Sequence, residues 1–145
     1  MTKFTFADLV GQAEKESTAL GASAGAKFTD ADMNKAVKLG TAHNYVPVAA
    51  GDELEAVAVS LEAFTVNAGF SFGSIVRGGY MRATVDSNAV VTQGALVVAG
   101  TQAALGTAQA RPVIRAGTPT KFLWRVVDLL TGAGAINTEV IIERI

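Results

Sequence analysis

The sequence predicts an all-β protein: a sandwich, jelly roll or barrel of about eight or nine short strands behind an N-terminal arm. Three observations carry this. From Tyr45 onward the chain is a series of short apolar runs broken by glycine turns. Val57, Val59 and Leu61 alternate with Ala56, Ala58 and Ser60, the period of a strand. No repeat of fixed length is present, which argues against solenoids and propellers.

Residues 1–28 differ from the rest. Phe6, Leu9, Val10 and Ala13 fall on one stripe of a short helix, with Thr5 as its cap and Asp8 in the capping-box position. After Gln12 the segment turns to Ala, Gly, Ser and charge, too small-sided for a core of its own. It reads as an arm, a short helix on a flexible lead, ordered mainly by docking. Residues 29–145 form a single β domain.

Within that domain, Asp30–Asn34 predicts a turn leading into a strand at Lys35–Leu39. Tyr45–Val48, Leu54–Ala63 and Phe64–Val66 follow as extended pieces. Gly73–Arg77 and Tyr80–Asp86 flank Gly78-Gly79, a pair suited to a tight hairpin. Ala89–Val91 and Ala95–Ala99 are separated by Gln93-Gly94. Arg111–Arg115 carries Pro112, which predicts an edge strand. Lys121–Leu130 and Thr138–Ile145 form the last pair, joined by Thr131–Ala135. The former is apolar on both faces except at Arg125 and Asp128, so it is central or covered. The alanine-rich stretch Ala103–Ala110 reads as a loop without a role.

The composition sets limits. Half of the 145 residues are hydrophobic and 17% charged, which excludes a disordered chain and is enough to bury about two thirds of the unfolded surface. The absence of cysteine excludes disulfides and thiolate metal sites. A formal charge of −1 gives no reason to expect nucleic acid or an anionic membrane as partner. The charge is uneven: residues 1–63 hold five Lys and nine Asp or Glu, residues 64–145 seven basic and four acidic groups. Met1–Val10 lacks the apolar stretch of a secretory signal, and no apolar run nears the roughly 20 residues that cross a bilayer. The expectation is a protein made in the cytosol that stays soluble or joins a soluble assembly.

The catalytic inventory is thin. Gly69-Phe70-Ser71-Phe72-Gly73 matches the nucleophile-elbow pattern, but a strand follows it and the one histidine, His43, lies upstream. Asp30-x-Asp32-x-Asn34 resembles the start of a calcium loop, yet Lys35 and Thr41 stand where glycine and a bidentate glutamate belong. His43 has no second histidine or cysteine as company, so a neutral turn histidine is expected and no metal site. Glu53 and Glu55, on one side of a strand, read as solvated edge carboxylates. No enzyme and no cofactor are expected. The candidate contact residues are aromatic and apolar: Phe4, Phe6, Leu9 and Val10 in the arm, and Phe70 and Phe72 beside turn glycines.

Three stretches carry a further likeness: Phe28-Thr-Asp-Ala-Asp-Met-Asn-Lys-Ala-Val-Lys-Leu-Gly40; Tyr45-Val-Pro-Val-Ala-Ala-Gly-Asp-Glu-Leu-Glu-Ala-Val57; and Lys121-Phe-Leu-Trp-Arg-Val-Val-Asp-Leu-Leu-Thr-Gly132 with the ending Glu139-Val-Ile-Ile-Glu-Arg-Ile145. Together they resemble structural cement, or decoration, proteins of tailed-bacteriophage capsids, of the Bordetella-phage-like podovirus type. The resemblance implies a jelly-roll-like sandwich or barrel of about 8–9 short strands. It implies binding to the outside of an HK97-type shell of major capsid protein, as a homodimer or trimer. The protein would be made in the host cytoplasm and reside on the capsid exterior of the virion. The competing expectation is a small jelly-roll module for a ligand or carbohydrate, for which Trp124 and the two tyrosines are the natural aromatic platform.

Overall fold

The computed structural model describes residues 15–21, 28–41, 44–61, 71–86 and 90–145. Among them are ten strands in two sheets and no α-helix. The strands are β1 (Lys15–Leu20), β2 (Ala36–Leu39), β3 (Tyr45–Pro47), β4 (Ala56–Leu61), β5 (Ser71–Val76), β6 (Tyr80–Val85), β7 (Leu96–Ala99), β8 (Val113–Ala116), β9 (Trp124–Leu129) and β10 (Glu139–Arg144).

The first sheet runs β1-β3-β2-β4-β5 and closes where β5 pairs with β1. Its junction of β1 with β3 is one parallel residue pair, Leu20 with Tyr45. The second runs β10-β6-β8-β7-β9 and back to β10, a five-stranded barrel that is mixed because β6 and β8 are parallel.

Two strands of the first sheet are walls shared by two cores. Ala56 and Ala58 of β4, with Val37 of β2, face inward onto Leu20, Phe28, Tyr45 and Ile75. Val57 and Val59, with Ala36, face the other way, into the cluster that holds Trp124, Ile114, Val140 and Ile142 of the second barrel. The period-2 alternation therefore has apolar residues on both faces because both faces are covered. A register shift between Ala58 and Ser60 then returns Leu61 to the first core. Trp124, fully buried, spans the junction and donates its Nε1–H to the Leu54 carbonyl at 2.8 Å.

Several elements differ from the sequence expectation. Residues 15–20, expected in the flexible lead of the arm, form strand β1, and Leu20 and Phe28 are core residues. The helix expected around Phe6–Ala13 lies outside the described residues. Gly78-Gly79 is no hairpin: β5 and β6 belong to different sheets, and the chain crosses between them there, with Gly79 at φ +82°. Pro112 marks no edge, since β8 has β6 on one side and β7 on the other. The proline precedes the strand, so its missing N–H costs no ladder bond. Val90 and Val91 lie outside any strand.

Candidate functional site

The polar residues singled out by sequence prove to be tethers between loops. Asp30–Asp32 forms a 3-10 turn, and the Asp32 carboxylate reaches back to the Thr29 N–H (2.8 Å) and hydroxyl (3.1 Å). Lys35 donates from Nζ to Asp32 Oδ1 at 2.6 Å and to the Ala104 carbonyl at 2.7 Å. The Gly106 N–H donates to the same Asp32 oxygen at 2.7 Å. Burial pushes the Asp32 carboxyl up, but Lys35 and the Thr29 and Gly106 donors outweigh it and hold the group below the usual carboxylate range. Lys35 thus engages the Asp32 carboxylate that a calcium loop would need for its cation, and the turn is closed by an internal charge.

The same turn grips the alanine-rich loop. Gln109 Nε2 donates to the Asn34 carbonyl (3.0 Å) and to Gln102 Oε1 (2.7 Å), and Gln102 Nε2 donates to the Val113 carbonyl (2.7 Å). Gln102 Oε1 also accepts from the Ala36 N–H, at 3.2 Å. Residues 103–110, to which the sequence assigned no role, are therefore pinned to the first sheet by two glutamines and an ion pair.

Glu53 is no free edge carboxylate. It accepts from the backbone N–H groups of Thr120, Lys121 and Phe122 (2.9, 2.6 and 2.9 Å) and from the Thr120 hydroxyl (3.1 Å). The Phe122 and Lys121 N–H groups lead in pulling its pKa down to about 2. Glu55 accepts from the Leu39 N–H at 3.0 Å, so the two glutamates close different loops and do not converge. Asp86 takes a bidentate grip from Arg115 (3.1 and 3.0 Å) and the Thr101 N–H. Burial raises its pKa, and Arg115 with Thr101 more than reverses this.

Ser71 sits in strand β5 opposite Leu20, on a ladder and not on an exposed elbow. Phe72 pairs through its backbone with Ala19, and its side chain lies outside the described part of the structure. Phe4, Phe6, Leu9, Val10, Phe70 and His43 also lie outside the described residues. Among the described residues no group of three His, Cys, Asp or Glu side chains is placed to hold a metal ion.

What the described surface offers instead is apolar and arginine-rich. Val90 and Ile136 are 59% and 48% exposed at one end of the second barrel, where the Val91 N–H bonds to the Gly134 carbonyl. On that barrel's outer wall Arg82 and Arg111 both reach Glu139, and Arg125 reaches Glu143. Sequence reasoning assigned none of these charges a role, because each reads as an ordinary surface charge until the registers of β6, β8, β9 and β10 bring them together. Comparison of the chain with protein-family models, curated proteins and solved structures finds no match.

Proposed function

We propose that the protein is a structural virion component that binds the outer surface of a phage capsid and reinforces contacts between major capsid protein subunits. The observation that carries this is the resemblance of residues 28–40, 45–57, 121–132 and 139–145 to capsid cement proteins. These stretches supply the Asp32 turn, β2, β3, the start of β4, and the β9–β10 pair. On this reading the domain is jelly-roll-like and acts as a homodimer or trimer.

The tethers support it physically. Asp32 and Glu53 fix loops of one sheet against the other, and Asp86 braces the second barrel internally, a stiffness that suits a cement. Interfaces of about 1,600 Å² each, repeated over a shell, make rupture require many simultaneous losses. The aromatic platform of a carbohydrate module loses its best candidate, because Trp124 is fully buried. Co-sedimentation with undecorated capsids of the cognate phage tests the proposal: saturable, stoichiometric pelleting is expected, and protein left folded in the supernatant would overturn it.

A further inference from the structure

The outer wall of the second barrel holds a polar network one acceptor short. β6 and β8 run parallel with Thr84 opposite Val113, which sets Arg82 beside Arg111 two residues earlier. Both turn to one carboxylate: Arg82 Nη2 lies 3.0 Å from Glu139 Oε2, and Arg111 Nε 3.4 Å from Glu139 Oε1. Within this trio two guanidiniums face one carboxylate, a local excess of one positive charge. The Nε–H of Arg82 is shielded from solvent and has no acceptor. A half-satisfied network in a partly desolvated place is costly, and a second carboxylate against the solvent-facing part of the two guanidiniums offsets that cost through their charge. The side chains of Arg82, Arg111 and Glu139 are 21%, 28% and 31% exposed, so their open edges remain reachable.

We infer that Arg82 and Arg111 form a receptor for a carboxylate side chain of a partner protein. The planar guanidinium fork matches a carboxylate in two-point contact. The surrounding wall fits a protein better than a polyanion. Half-buried Ile141 lies beside Arg82, Tyr80 lies two residues along β6, and Val113 starts β8. Glu143, bonded to Arg125 at 2.5 Å, and exposed Asp128 on β9 would repel a run of phosphates but not a single acid set between them. The inference concerns this wall alone and does not rest on the capsid reading.

The test follows the arginine Nε–H resonances of the full chain by NMR while a peptide with one glutamate between neutral residues (acetyl-Ala-Ala-Glu-Ala-Ala-amide) is added, with inorganic phosphate as the comparison. Saturable shifts of Arg82 and Arg111, absent in Arg111→Gln and retained in Arg125→Gln, are expected. Glu139→Gln removes the internal competitor and should tighten peptide binding about two- to fivefold. Unchanged thermal melting establishes that the variants are folded. Shifts spread evenly over all arginines, weaker binding by Glu139→Gln, or phosphate acting as well as the peptide would each overturn the assignment.

Discussion

Asp32 and Lys35 meet at 2.6 Å with neither side chain reaching solvent. Such a pair is costly to assemble and costlier to break, since removing one partner strands the other charge. Lys35→Met should therefore destabilise the protein by about 3–5 kcal/mol in urea unfolding. Adding Asp32→Asn should recover part of that loss, because the amide oxygen still accepts from Gly106 and no charge is left buried. Equal losses in the single and double variants would show that lost packing of the lysine stem, and not the stranded charge, sets the cost.

Asp32, Glu53 and Asp86 share a pH signature. Each carboxyl is held below its ordinary value, 3.8 for the aspartates and 4.5 for the glutamate, and Glu53 falls to about 2. The unfolded chain thus binds protons more readily than the folded one. The stability these groups contribute is whole above about pH 5 and is lost as pH falls towards 2. Urea midpoints should be level from pH 7 to 5 and drop steeply below 4. Glu53→Gln should lower the neutral plateau and flatten part of that drop.

Gly100 is required by its neighbour. A Cβ there would sit 2.5–2.6 Å from all three carboxyl atoms of Asp86, so the carboxylate would have to leave Arg115 and Thr101. Gly100→Ala should cost about 1–3 kcal/mol, by overpacking and the lost grip together. Urea unfolding of Gly100→Ala beside Asp86→Asn checks this: if the glycine acts through the carboxylate, the two losses will not add.

Deletion of residues 1–28 would remove β1, which pairs with β5 along its whole length, and two core side chains, Leu20 and Phe28. The truncated chain should lose cooperative unfolding of the first sheet, visible as a broadened melt by circular dichroism. A sharp, native-like transition would show that β2 to β5 hold together without β1.

The sequence is most legible where burial is one-sided or complete. The alternation around β4 and the apolar run of β9 announce themselves because large side chains mark the pleat. β1 does not, since Lys15-Glu-Ser-Thr-Ala-Leu20 carries only one large apolar group. Its place is explained by its partner: Thr18 lies opposite Gly73, where a Cβ would run into the Ser60 carbonyl and the Leu20 side chain. The tethers are illegible for another reason. Glu53 is recognised by backbone donors more than sixty residues away in the chain, as is Asp32 by Gly106, and backbone N–H groups leave no mark in a sequence. Gln102 and Gln109, hidden in an alanine-rich stretch, hold their loop with side-chain amides whose spacing matches no motif.

The order of strands also governs how fast the molecule can be made. β10 lies between β6 and β9, so the second barrel stays open along both those edges until residues 139–144 arrive. The first sheet likewise joins β1 to β5 across more than fifty residues. Pairings this distant close large loops before any contact rewards them, and such topologies fold in milliseconds to seconds. During that interval β6 and β9 present bare edges to neighbouring chains. Production of this protein at high concentration is therefore a race between the docking of one late strand and aggregation.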